Sequence, residues 1–330
     1  MEIGFRRPME IESTMKNDSH DATEAPLARV LNNRRPLPPL PADLTPRLRR
    51  LDGVAAVLLD VYGTLVVSGS GDVGTIQTTE PSPAPQKAGT DRIQQAGAAI
   101  GLSEPKSLPE PKSSPKPKSL PTTDQLRELI TATNDACRSP ENPKPEVEIL
   151  DVWRVLLTRS GRDDLAEQPG QVAALAAEYE SRSNPTWPMP GALDALGHLA
   201  DRGLRLGIVS NAQVFTIPLV EDLLGAPLAR VFDLNLCFFS NRFRAAKPGP
   251  RLFDHAKTRL ARLGVLPEQT VYIGNDMLND VWAARQAGFR TVLFAGDARS
   301  LRLRRDHPDC AALFADAVLT DWNQIVECLG

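Results

Sequence analysis

Asp60 is the first side chain whose setting suggests chemistry. It closes the apolar run 54–59 and is followed by Val61, Tyr62, Gly63, Thr64 and Leu65. An apolar run ending in a carboxylate and a glycine turn is how a buried parallel strand delivers an acid to the carboxyl edge of a sheet. Gly63 lets the backbone turn sharply beside a ligand. A carboxylate there can act as a nucleophile when it is held in line and cations neutralise its electrophile. The plainer reading is a strand-end Asp making a turn bond. What favours chemistry is that other reactive groups occupy matching places. Ser210 and Asn211 follow the apolar run 204–209, Lys247 precedes Pro248, and Asp276 and Asp280 follow 271–274.

Each group brings a different capacity. Ser210 and Asn211 offer a hydroxyl and an amide to a phosphoryl or carboxylate oxygen, and Thr64 is read as a further substrate-binding hydroxyl. Pro248 disfavours helix at Lys247 and so places it on a loop. There, as a compact cation, it would keep Asp60 ionised and stabilise charge during transfer. Asp276 and Asp280 are four residues apart and project from one side of a loop or helix start. Two bare carboxylates there repel each other and Asp60. A hard dication removes that repulsion, and oxygen-only ligands suit Mg²⁺. The plainer alternative for either acid is a helix cap.

Regular elements must carry these groups to one rim. From Gly191 the pattern alternates: a helix with Leu193, Leu196 and Leu199, a strand at 204–209, a helix at 217–224 and a strand at 231–237. A helix at 250–263, a strand at 270–273, a helix at 280–287, a strand at 291–294 and a short strand at 317–319 complete it. That alternation predicts a parallel doubly wound sheet. Between the first two strands lie three helical patterns, beginning at Thr122 or Thr123, at 146–158 and at 171–181. Pro185, Pro188 and Pro190 end them.

These pieces resemble the haloacid dehalogenase-like (HAD) superfamily of hydrolases, over about residues 54 to 320. Its four motifs are an Asp nucleophile, a Ser/Thr, a Lys and a paired-acid loop, and all four occur here in order. The resemblance implies an α/β fold, a doubly wound parallel (Rossmann-like) sheet with a small inserted helical cap. It implies Asp60, Ser210 and Lys247 as catalytic residues and Asn211 and Thr64 as substrate-binding residues. Mg²⁺ would be held by Asp60, Asp276, Asp280 and a backbone carbonyl two residues past the nucleophile, which is that of Tyr62. Asn275 departs from the pattern by separating Gly274 from the first acid.

Tyr62 is the larger departure. Phosphatases of the superfamily usually carry there a second Asp that protonates the leaving alkoxide, whereas its haloacid dehalogenases carry Tyr. A phenol with an ordinary pKa near 10 is a poor general acid near neutrality, and losing proton transfer costs on the order of 10² to 10⁴ in rate. The preferred expectation is a Mg²⁺-dependent phosphohydrolase working through an aspartyl-phosphate on Asp60 and favouring good leaving groups. Two alternatives stay open: a metal-independent 2-haloacid dehalogenase, and a catalytically weak domain used for interaction.

Composition bounds the rest. A formal charge of −3 over 330 residues gives no basic footprint for nucleic acid, and no apolar run near the nucleophile is long enough to span a bilayer. Four scattered cysteines without paired spacing, and no signal-like N-terminus, suggest a reduced, cytoplasmic chain, and the resemblance implies a small, phosphorylated substrate. Residues 1–45 read as a disordered leader ending in a Pro-rich stretch, 34–41, that an SH3-like partner could bind. Residues 68–122 read as a disordered Pro/Ser/Lys-rich insertion with a hexapeptide repeated at 104–109, 110–115 and 116–121. That leaves 46–67 and 184–330 as the core and 123–183 as the cap. Glu148, Asp151 and Trp153 of the cap are candidates for setting specificity. The basic run Arg299, Arg302, Arg304 and Arg305 could meet an anionic tail or form a solvated helix face.

Overall fold

The computed structural model describes residues 25–71, 91–102 and 119–329. Its strands in chain order begin with β1 (Ala56–Leu59), β2 (Val66–Ser68), β3 (Thr186–Pro188) and β4 (Arg205–Ser210). After these come β5 (Cys237–Phe239), β6 (Thr270–Gly274), β7 (Arg290–Phe294) and β8 (Ala317–Leu319). Six of them form the main parallel sheet, in the order β5-β4-β1-β6-β7-β8. β1 lies in the middle, Leu59 opposite Ile208 on one side and Ile273 on the other. The chain winds outward from it in both directions, so a crevice opens at its carboxyl end.

β1 is apolar at every position because both of its faces are covered. Alternate side chains serve different layers. Ala56 and Leu58 pack with Leu252, Phe253 and Leu260 of the helix Arg251–Arg262. Val57 and Leu59 belong to the opposite layer with Leu196, Leu199 and Leu219. The expected doubly wound sheet is what forms. One strand differs from expectation: residues 234–236 make a 3₁₀ turn, and β5 begins only at Cys237. The Asp233 carboxylate accepts the Asn235 N–H, an alternative to extended backbone.

The insertion leaves the core through a ribbon that alternation had not suggested, β2 antiparallel to β3. Beyond it lie the helices Thr123–Ala136, Ile149–Arg159, Asp163–Ala166 and Pro169–Ser183. Thr122 and Gln125 form the capping box that starts the first. The expected disorder of 68–122 needs correction, since Arg92–Ala99 is a helix that buries Ile93 and Ala96. Asp91 holds its start by accepting from Ile93 N at 2.8 Å, and accepts from Thr123 N at 2.9 Å with its other oxygen. One carboxylate therefore caps two helices. Residues 72–90 and 103–118, with nearly all of the repeats, lie outside the described residues.

The leader is corrected as well. From residue 25 onward it is packed against the rest of the chain. Asn33 donates to Glu178 at 2.9 Å, and Arg34 pairs with Asp222 while lying over the Trp187 ring. Leu40 exchanges backbone bonds with the loop after β7, donating to Asp297 Oδ1 (2.9 Å) and accepting from Ala298 N (2.8 Å). The 34–41 stretch is thus a strap docked on the core, not the free polyproline segment expected for an SH3-like partner. No helix among the described residues is long and apolar enough to cross a membrane.

Candidate active site

Asp60 follows β1 directly at the sheet's carboxyl edge, and its N–H donates to the Ile273 carbonyl of β6. Gly63, with φ +77°, turns the chain away. A Cβ on it would stand 2.3 Å from that of Ser300 and 2.6 Å from the Asn275 amide nitrogen. Only glycine allows this approach. The Thr64 hydroxyl donates to Asn275 Oδ1 at 3.2 Å, and the Asn275 amide donates to the Ser300 carbonyl at 2.6 Å. Thr64 and Asn275 therefore knit the first motif to the loops after β6 and β7.

Lys247 is the hub. Its ammonium donates to Asp60 Oδ1 (2.9 Å), Asp280 Oδ1 (2.6 Å) and the Tyr272 hydroxyl (2.8 Å). An ammonium has three N–H donors, and all three are taken. Burial alone would lower its pKa, but the Asp280 and Asp60 carboxylates outweigh that and hold it above the ordinary lysine value. Lys247 is therefore a permanent cation. Tyr272 was not anticipated from the sequence, where it reads as one more apolar position of β6. Its hydroxyl donates to the Val209 carbonyl at 2.7 Å. Burial and the neighbouring acids raise its pKa well above 10, so it stays protonated.

Asn211 clamps the backbone of Lys247, accepting from its N–H at 2.7 Å and donating to its carbonyl at 3.3 Å. The amide expected to bind substrate thus positions the lysine. Ser210 is wholly buried, and its hydroxyl donates to the Asn211 carbonyl. It is not among the residues that line the cleft. Ser210 therefore supports the site from behind, while Asn211 both holds Lys247 and lines the cleft.

The paired acids part ways. Asp280 is buried under Gly274, where a Cβ would stand only 2.4 Å from the Asp280 carboxylate. Its Oδ2 accepts from the Asp276 N–H at 2.8 Å and its Oδ1 accepts from Lys247, with the Tyr272 hydroxyl oxygen 3.1 Å away. Burial is the largest influence on its acidity, with Asp60 and Asp276 adding and Lys247 opposing, and the net effect lifts it to about 6. Asp276 instead caps the π-helical turn Met277–Trp282, accepting from Leu278 N (2.8 Å) and Asn279 N (3.1 Å). Its carboxylate also meets Arg304, with Nη2 to Oδ2 at 2.8 Å.

Magnesium therefore does not fit the donor set as it stands. Among the described residues no group of three or more His, Cys, Asp and Glu side chains could hold a metal ion. The repulsion that seemed to need a dication is relieved by Lys247 and Arg304. Tyr62, whose backbone carbonyl is the remaining expected ligand, lines the cleft, while its ring lies in the main core and its hydroxyl shares a 3.0 Å hydrogen bond with Thr216. Asn275 sits beside the acids as a neutral residue.

The expected basic helix face is a loop instead. Arg299 pairs with Asp297, Arg302 lines the cleft, and Arg304 binds Asp276. The cap candidates are also occupied elsewhere. Glu148 accepts from Asn241 and caps its own helix, Asp151 pairs with Arg154 and Arg244, and Trp153 packs edge-on to Tyr179.

The cleft at Asp60 is small, about 30 Å³, lined among others by Tyr62, Asn211, Lys247, Asn275 and Arg302. A larger hollow of about 650 Å³, bordered by Arg29, Ile100 and Gln171, shares no residue with it and carries none of the expected chemistry. Asp60 is the reactive candidate. Among the described residues only its Oδ1 carries a side-chain hydrogen bond, to Lys247, which leaves Oδ2 for attack.

Comparison with known proteins places the chain in one family. Residues 54–288 match the family model for haloacid dehalogenase-like hydrolases. A glyceraldehyde 3-phosphate phosphatase of Methanothermobacter thermautotrophicus is 31% identical over 142 residues, 43% of this chain and 58% of that one. A phosphoserine phosphatase of Thermus thermophilus is 33% identical over 156 residues, 45% and 58% of the two chains. The chain thus spans less than two thirds of the length of these relatives. A 2-haloacid dehalogenase from Pseudomonas syringae shares the fold, with a TM-score of 0.51 at 20% identity, covering 83% of this chain and 97% of that one.

Proposed function

The chain belongs to the haloacid dehalogenase-like hydrolase family, and we propose that it hydrolyses small phosphate esters through a covalent phosphoryl group on Asp60. The observation that carries this reading is the buried ion pair of Lys247 with Asp60, 2.9 Å long, at the carboxyl end of the central strand. The phosphatases among its relatives favour phosphorus over carbon as the point of attack.

Asp60 Oδ2 attacks phosphorus while Lys247 holds Oδ1. A P–O bond to Asp60 forms, and the ester P–O bond breaks with its electron pair leaving on the departing oxygen. Water then attacks phosphorus, its protons pass to phosphate and solvent, and Asp60 is released as carboxylate. Tyr62 is poorly suited to protonate the leaving oxygen, because its hydroxyl is engaged with Thr216 and a phenol holds its proton to near pH 10. Turnover is therefore fastest with leaving groups stable as anions.

Two observations favour a second reading, halide displacement from a small 2-haloacid with an ester at the same Asp60. Tyr62 stands where phosphatases of the superfamily carry a second acid, and cations of the chain itself compensate the paired acids. Release of phosphate and of halide from small panels, by wild type and Asp60→Asn, separates the two. Phosphate release lost in Asp60→Asn supports the proposal. Halide release without phosphate release replaces it with the second reading, and activity undiminished in Asp60→Asn defeats both.

A further inference from the structure

We infer that Arg304 holds the place of a divalent cation, so that this site works without one. The inference concerns the site of the proposed reaction but does not depend on which bond is cleaved there. The Arg304 guanidinium lies against both oxygens of Asp276, with Nη2 to Oδ2 at 2.8 Å and Nε 3.3 Å from each. Two backbone N–H groups complete the shell of Asp276 Oδ1. Charge-assisted bonds of this forked kind are among the stronger polar contacts.

The other acid is closed to a metal for a separate reason. Asp280 accepts from the Lys247 ammonium on Oδ1 and from the Asp276 N–H on Oδ2, so both of its oxygens are bonded. A dication bridging Asp60, Asp276 and Asp280 would have to expel Arg304 and sit beside a buried ammonium 2.6 Å from one of its own ligands. Like charges in a shielded site repel strongly. The third neighbour, Asn275, is neutral and already bonded to Thr64 and Ser300. It adds no charge to attract a metal.

Arg304 reaches this position from a built loop. Residue 304 has φ +49°, a left-handed backbone that non-glycine residues rarely adopt. The loop is pinned at two points beside it, by Met277 N donating to the Arg302 carbonyl (2.8 Å) and Arg302 N to the Asn275 carbonyl (3.0 Å). The Arg304 side chain is three-quarters shielded and that of Asp276 about nine-tenths. The arrangement is a positioning device that neutralises the acid loop and fixes it beside Asp60.

The test is thermal melting and calorimetric titration of the full chain with MgCl₂, against KCl at equal ionic strength. A ligand that binds only the folded state raises the melting temperature. Wild type is expected to show no magnesium-specific shift and no binding heat. Arg304→Ala, which leaves Asp276 without its guanidinium, is expected to gain a magnesium-specific rise in melting temperature. Magnesium binding by wild type overturns the inference, as does an Arg304→Ala protein indifferent to magnesium. Neither readout needs a substrate, so the outcome is separate from that of the hydrolysis assay. Should Arg304→Ala fail to fold, the wild-type titration alone decides.

Discussion

The Lys247 ammonium lies nearer to Asp280, at 2.6 Å, than to the proposed nucleophile Asp60, at 2.9 Å. Asp280 is therefore the anchor of the lysine, and Asp60 is the group it serves. Removing the cation leaves two buried carboxylates facing each other. Breaking a buried pair in this way costs about 3–5 kcal/mol. Lys247→Met is expected to lose about that much stability in chemical denaturation and all measurable turnover.

Gly274 gives Asp280 its place. A methyl group added at Gly274 would press on the carboxylate from 2.4 Å, so the Asp280 to Lys247 bond must lengthen or the strand end must shift. Overpacking of this kind costs about 1–3 kcal/mol. Gly274→Ala is expected to unfold at lower denaturant and to lower kcat more than KM, because the nucleophile's partner moves while the cleft walls stay. An unchanged denaturation midpoint would show that the carboxylate has room to retreat.

Acid should switch the site off through Asp280. Burial first, then Asp60 and Asp276, raise its carboxyl from 3.8 to about 6 against the pull of Lys247. Below that value Asp280 is neutral, and Lys247 loses one of its two charged partners. The pH–rate profile is expected to carry an acid limb near 6 that is absent from Asp280→Asn. Stability moves the other way. Between 3.8 and about 6 the folded chain holds a proton that the unfolded chain has released, so this group's contribution to stability falls as pH rises through that window. Lys247, with a raised pKa, contributes stability that is complete at ordinary pH and is lost only as pH climbs through its elevated value.

The strap and the site share a loop. Asp297 is fully buried and accepts from Leu40 N at 2.9 Å and Arg299 N at 3.2 Å, just before the segment that supplies Ser300, Arg302 and Arg304. Asp297→Ala removes the acceptor of two part-buried N–H groups, at a cost of about 0.5–1.5 kcal/mol for each bond lost. Limited proteolysis is expected to cleave the 34–41 stretch faster in this variant, with a parallel loss of activity. Equal cleavage rates would mean that Leu40 is held by other contacts.

Much of this was legible beforehand because it depends on short-range pattern. The apolar run into Asp60, the strands at β4 and β6 and three helices of the insertion follow from periodicity and capping, and the structure places them within a few residues of expectation. What escaped was set by partners distant in sequence. Tyr272 reads as a strand residue until Lys247 arrives from 25 positions away. Arg304 reads as solvated until its loop folds back onto Asp276 across 28 positions. The Pro-rich strap carries no core pattern of its own, and its order comes from Asp297 and Asp222 elsewhere in the chain. A sequence shows that two acids lie near each other, but not which cations reach them first.

Covalent chemistry at Asp60 is tested most directly by quenching turnover in acid. With 4-nitrophenyl phosphate as substrate, peptide mass spectrometry of the quenched wild type is expected to find a phosphoryl group on Asp60. Phosphate release with that peptide unmodified, or at the wild-type rate from Asp60→Asn, would contradict it.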